Sequence, residues 1–177
     1  NIYQYTEELD YPEIRESEHK TFAVDTLVRN EDHLNFELPP EILPSKPEEK
    51  LIYLSMGSMG GIDLNLMKRL IKILSRSPHK FIVSKGLLGD ELELASNMWG
   101  ENNLPQTKVL PLVDLVIIHG GNNTVCEAFS FGKPMIVMGL FGDQFDNAQR
   151  IQDTGFGIRI EPYNFEDEQL LKSINDL

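Results

Sequence analysis

The sequence holds one cysteine, one tryptophan and, among 177 residues, 16 lysines and arginines against 28 aspartates and glutamates. Each scarcity excludes something. A lone Cys126 rules out an internal disulfide framework. A formal charge of -12 argues against a general nucleic-acid or anionic-membrane surface, because such binding relies on clustered Lys and Arg. Any phosphate held by this chain must therefore be held by local donors. No apolar run is long enough to span a bilayer, and no signal-like apolar segment opens the chain. No Asp-x-Asp element is present, and the histidines and single cysteine lack metal-ligand spacing, so no catalytic metal and no cofactor are expected. The glycines after the first apolar run, Met56-Gly57-Ser58-Met59-Gly60-Gly61, are not spaced as GxGxxG, and no GKS or GKT follows. Walker-type and dinucleotide sites are thereby disfavoured.

What is there is a 41% hydrophobic chain with enough length for one sizeable core. Short apolar runs at Leu51–Ser55, Lys80–Ser84, Val116–Ile118, Met135–Met138 and Ile158–Ile160 read as buried strands. Between them the spacing predicts helices. One is capped by Asp63, buries Met67, Leu70, Ile71 and Leu74, and ends at Pro78; a short one covers Leu92–Met98. Others cover Val125–Phe131 and the run from Gly142 and Asp143 to Gly155, and a last one is capped by Asn164. Strands alternating with helices predict an α/β fold, a doubly wound parallel sheet whose polar corners meet at the carboxyl edge. The first fifty residues do not read as a compact unit. They carry Tyr3, Tyr5 and Tyr11 among many acids, and Pro39, Pro40, Pro44 and Pro47 mark Phe36–Lys50 as a linker.

The stretch from Leu115 to Arg150 organises the rest. Its strand runs straight into His119-Gly120-Gly121-Asn122-Asn123-Thr124, where glycines admit close backbone approach and a helix start offers unpaired N–H groups to an anion. His119 can donate to a phosphate oxygen, with Asn123 and Thr124 as donors beside it. The bland alternatives are a backbone-bonded histidine and two capping residues. Cys126 reads as a small buried residue, since nothing supplies it with a base.

These blocks, HGGNNTVCEAFSFGKPM and GLFGDQFDNAQR, with LPQ and LSMGS upstream, closely resemble the donor-binding half of UDP-sugar glycosyltransferases over roughly Leu51–Ile160. The LPQ-to-HGG spacing is similar to that of bacterial antibiotic-modifying and invertebrate members. The resemblance implies the C-terminal, Rossmann-like half of a GT-B enzyme, with residues 51–177 binding the donor. It also implies that residues 1–50 are the tail of an acceptor-binding N-terminal domain plus a linker. By the same resemblance Ser58, His119, Gly121, Asn123 and Thr124 meet the diphosphate. Gln106 and Glu127 meet the ribose, the backbone of Leu104 reads the base edge, and Asp143 and Gln144 bond the sugar hydroxyls. Asn103 stands where the family has the tryptophan that stacks on uracil, a contact worth ~1–3 kcal/mol, and Trp99 is a candidate substitute.

The implied reaction is inverting transfer from a UDP-sugar to a hydroxyl of a small lipophilic acceptor. Its general base, a histidine, belongs to the N-terminal half, so neither His19 nor His33 is assigned and no catalytic residue is expected here. Relatives are cytosolic or anchored in the endoplasmic reticulum by a C-terminal helix. Other readings stay open at this point: a stand-alone donor-binding subunit, a pseudoenzyme that keeps nucleotide affinity, and a UDP-sugar epimerase.

Overall fold

The structure, a computed structural model, describes residues 2–10 and 22–177. The described part opens with two short parallel strands, β1 (Ile2–Gln4) and β2 (Phe22–Val24). The main sheet is built from β3 (Leu51–Ser55), β4 (Lys80–Ser84), β5 (Met98–Glu101), β6 (Leu115–Ile118), β7 (Met135–Val137) and β8 (Gly157–Arg159). All six run parallel in the order β5-β4-β3-β6-β7-β8. The chain therefore winds outward one way from β3 and the other way from β6, the arrangement that leaves a crevice beyond the carboxyl ends of the two central strands.

Alternation within each strand serves both faces. Ile52, Leu54, Phe81, Val83, Leu115 and Ile117 pack against α2 (Leu64–Leu74) and α6 (Asp167–Asp176). Leu51, Tyr53, Ile82, Val116, Ile118 and Val137 pack against α4 (Asn122–Ser130), α5 (Gln144–Asp153) and the short helix α3 (Gln106–Val109). Helix α2 forms as the spacing predicts. The Asp63 carboxylate accepts from the Leu66 amide at 3.0 Å, and Met67, Leu70, Ile71 and Leu74 are buried. The Gly57–Gly60 turn is tightened into a single helical turn, α1.

Three expectations need correction. Leu92–Met98 is not a helix. After a 3-10 turn at Gly89–Glu91 the chain runs without regular structure into a turn at 96–97, the Asn97 amide faces the carbonyl oxygens of Leu74, Ser77 and His79, and Met98 pairs with Phe81 in the sheet. The Gly100-Glu101 pair thus lies within β5 and at its end. Asn164 does not cap the last helix. It closes a turn on the Glu161 carbonyl, and α6 starts at Asp167 after Phe165 has entered the core beneath the Arg69 guanidinium, 4.0 Å from the ring centroid. The first fifty residues, expected to form no compact unit, also contribute to the core where the structure describes them. Leu9 is 0% exposed and Ile42 2%, both inside the α4–α5 side of the core. Arg150 donates to the Leu9 and Asp10 carbonyls, and Asn122 donates to the Gln4 carbonyl.

Leu9→Ala is accordingly expected to lower stability by about 2–4 kcal/mol, as for a fully buried leucine. The same change at exposed Leu43 should cost under about 0.5 kcal/mol. Urea unfolding of the two variants reads the difference, and equal small losses would show that Leu9 carries no core packing.

Candidate functional site

Strand β6 is wholly buried and ends at His119, where Gly120 turns the chain at φ +86° and Gly121 precedes the first helical residue of α4. The N-cap residue is Gly121, which has no side chain to cap the helix, and the first-turn amides have no intrahelical partners, as at any helix start. Asn122, Asn123 and Thr124 lie in the first turn rather than at the cap, which removes the capping alternative for the last two. Beside it β3 ends at Ser55 and turns through Gly57 at φ +69°. The His119 ring lies between the two corners. A Cβ on Gly57 would sit 2.8 Å from its Cε1 and Nε2, and one on Gly121 2.6 Å from Nε2. Glycine at both positions is what admits the ring.

The second corner is locked to the first. Gly120 backs onto the Gln144 main chain, where an added Cβ would meet the carbonyl oxygen at 3.0 Å. The Asn147 amide of α5 donates to the Gly120 carbonyl at 2.8 Å, and Tyr5 donates in turn to Asn147 Oδ1 at 2.8 Å. A cleft of about 670 Å³ opens over the carboxyl ends of β3, β4 and β6, at the point where the winding reverses. Of the candidate residues, Ser58, Asn103, Leu104, Gln106, His119, Gly121, Asn123 and Thr124 line it.

The other three are placed differently. Glu127, one turn along α4, is 1% exposed beneath Arg29, which also lines the cleft. Arg29 donates from Nε to Oε1 at 2.6 Å and from Nη2 to Oε2 at 2.9 Å, and Gln106 Nε2 donates to Oε2 at 2.6 Å. Tyr53 donates to Gln106 Oε1 at 3.5 Å, at the weak end of the range. Burial pushes the Glu127 carboxyl up, but the Arg29 and Gln106 bonds outweigh it and hold the group below the usual carboxylate range. The hydrogen bond to Glu127 raises Arg29 correspondingly. Gln144 is 3% exposed, and its Oε1 accepts from the Leu140 and Phe141 amides at 2.9 and 3.2 Å. Asp143 is exposed at the start of α5 and makes no side-chain cap, so capping does not account for it.

Burial pulls His119 below the ordinary histidine value, with the Asp143 charge and the Ser55 carbonyl raising it part of the way back. Its Nδ1 is buried without an aligned partner among the described residues. Trp99 does not line the cleft. It packs 6.3 Å from Phe36, ring to ring, and borders a separate cavity of about 380 Å³ with Phe36, Asn103, Leu104 and Pro105. The Cys126 thiol is buried beside Thr6 and Asn122, and burial pushes it up, as suits a packing residue. His33 is exposed, and Tyr11 and His19 lie outside the described residues. Among the described residues no group of three or more His, Cys, Asp or Glu could hold a metal ion, and no helix is long and apolar enough to cross a membrane. Sequence reasoning missed Arg29, which sits in a stretch with no pattern of its own, and Tyr53, whose hydroxyl in the apolar LIYLS run was the available signal.

Residues 3–177 match the family described as UDP-glucoronosyl and UDP-glucosyl transferase. The chain belongs to that family. Similar family proteins include the sterol 3-beta-glucosyltransferase of Candida albicans, 29% identical over 157 residues, which covers 78% of this chain and 10% of that protein. The human UDP-glucuronosyltransferase 3A2 is 37% identical over 82 residues, covering 45% of this chain and 16% of that protein. The fold is shared with solved glycosyltransferases. A spinosyn forosaminyltransferase superposes with a TM-score of 0.74 at 19% identity, over 98% of this chain and 44% of that one. The glycotransferase of kitacinnamycin gives 0.72 at 24% identity, over 86% and 39%. The chain therefore spans about a tenth of the sterol glucosyltransferase and less than half of these solved structures, and its sheet is the Rossmann-like half of a GT-B fold.

The position of His119 predicts its titration. Folding lowers its pKa, so its share of stability is whole above the unfolded value of about 6.5 and is lost as pH falls through the folded value. NMR titration of the ring should give a midpoint below the ordinary value, and Asp143→Asn should move it lower still by removing the charge that raises it. A midpoint that rises in Asp143→Asn would contradict this geometry.

Proposed function

We propose that this chain is the donor-binding half of a UDP-glycosyltransferase, which holds a UDP-sugar for transfer to a hydroxyl of a small lipophilic acceptor with inversion at the anomeric carbon. The observation that carries the reading is the corner where His119, wedged between Gly57 and Gly121, borders the uncapped start of α4 inside the cleft at the reversal of winding. In a chain of charge -12, that corner gathers neutral N–H donors and a helix end of positive potential. These are groups suited to a diphosphate, and they stabilise the charge that grows on the leaving UDP as the glycosidic bond breaks.

In this reading Ser58, Gly121, Asn123, Thr124 and His119 hold the diphosphate, and Gln106 and Glu127 face the ribose. The base lies along Asn103 and Leu104. Asp143, exposed at the start of α5 and close enough for its charge to act on His119, accepts from the donor sugar. Gln144 serves that corner by fixing the Leu140–Phe141 backbone. The general base and the acceptor pocket belong to the other half of the enzyme, so the chain alone binds UDP or a UDP-sugar and transfers nothing.

A second reading, a nucleotide-binding module without turnover, is favoured by one feature: Asn103 supplies no ring for the base and Trp99 is turned into another cavity. Calorimetry with UDP against ADP and GDP separates the two, since a module indifferent to the base would bind all three alike.

His119→Ala is expected to weaken UDP binding about 10- to 100-fold, the loss of one hydrogen bond to a charged group. Asn123→Ala should cost less, because backbone amides remain. UDP affinity unchanged in His119→Ala would remove the diphosphate from this corner.

A further inference from the structure

Glu127 lies directly beneath two residues that line the cleft, Arg29 and Gln106, and in this structure it is already engaged. The Arg29 fork takes both of its oxygens, Gln106 takes a second position on Oε2, and the group is 1% exposed. A carboxylate offers roughly four acceptor positions in all. Two parallel N–H groups on nitrogens that share the guanidinium carbon reach the two oxygens much as two vicinal hydroxyls would. Arg29 is also, among the described residues, the one Lys or Arg side chain lining the cleft. Its own side chain is 53% exposed, so it can swing into solvent without unpacking the core.

The segment that carries Arg29 is held independently of that contact. Glu31 accepts from the Thr107 amide at 2.9 Å and from its hydroxyl at 2.7 Å, and Asp32 pairs with Lys108 at 2.9 Å. The segment thus stays docked on α3 while the Arg29 side chain is free to leave Glu127.

Resting on the nucleotide reading above, we infer that Arg29 is an affinity-setting residue of the same site. Its guanidinium holds the place of the ribose diol on Glu127, and a nucleotide must displace it to bind. The arrangement lowers the affinity for ligands that carry the diol and leaves untouched those that reach only the diphosphate corner. It also keeps Glu127 ionised in the empty cleft, ready to accept from hydroxyls as soon as the guanidinium moves.

The test compares UDP with inorganic pyrophosphate by calorimetry on the chain and on Arg29→Met, which keeps the stem and removes the fork. Displacement of a charge-assisted pair that is half in water predicts a gain for UDP of about five- to tenfold, with no gain for pyrophosphate. Arg29→Lys, with one donor head and no fork, should fall between. UDP affinity that is equal or weaker in Arg29→Met, with pyrophosphate still bound, overturns the proposal alone. Failure of both ligands to bind either protein overturns the nucleotide reading and the proposal with it. A measurement on the unaltered chain stands apart from the folding of any variant. The Arg29 Nε–H resonance should move on saturation with UDP and stay in place with pyrophosphate, and a resonance unmoved by bound UDP overturns the proposal.

Discussion

The reversal of winding between β3 and β6 is the constraint on which the remainder depends. Connections leaving these adjacent parallel strands go to opposite sides, so no helix can lie across the gap beyond their carboxyl ends. The turns that follow β3 and β6 deliver main-chain groups and short polar side chains into that gap, and Arg29 and Gln106 reach it from outside the two corners. Because β3 and β6 are paired in register from Ile52 with Leu115 to Ser55 with Ile118, their two turns emerge at the same height. Two glycines are then needed for the His119 ring to fit between those turns, and a third, Gly120, for the α4 corner to touch the α5 corner. A side chain at any of the three would separate turns that the sheet itself holds together.

Charge sets the character of the cleft. The protein carries an excess of acid, and such a chain repels a diphosphate at long range, over about 8 Å at physiological salt. Attraction must come from contact, and at contact the structure offers helix-start amides and neutral polar side chains, with Arg29, the one lining cation among the described residues, already paired with Glu127. His119 belongs to this set while burial keeps it largely uncharged near neutrality, and an arriving anion would favour its protonated form. The acids nearest the cleft are each committed or peripheral. Glu127 is paired, Glu31 binds the amide end of α3, and Asp143 stands exposed at the start of α5.

Much of the fold was legible because fully buried parallel strands leave uninterrupted β-branched runs, as in Val116–Ile118, and because helix α2 shows its apolar stripe and its Asp63 cap in plain order. Strand β5 was illegible for the opposite reason. Met98-Trp99-Gly100-Glu101 carries no alternation, and its pairing with β4 is directed by contacts such as Asn97 on three carbonyls, which have no local signature. Leu9 reads as part of an acidic tail until α5 is folded to receive it. Within the site, residues clustered on one corner were found together, since a strand end and helix start are contiguous in sequence. The Arg29–Glu127 pair, separated by 98 residues, was hidden from any spacing argument, and so was the role of Gln144, whose partners are the backbone of its own turn.

If the chain holds a nucleotide as proposed, two of its features act on that binding in the same direction. Asn103 offers no aromatic face for a base, and a covered Glu127 offers no ready acceptor for a ribose. On that reading the diphosphate corner is the part of the cleft prepared in advance, with its ring wedged in place at the start of α4, whereas the nucleoside end must be opened by the ligand. Such a division makes the phosphates the first anchor and the ribose the second. The cost of freeing Glu127 then falls after encounter, when the nucleotide is already held, so it weakens retention more than capture.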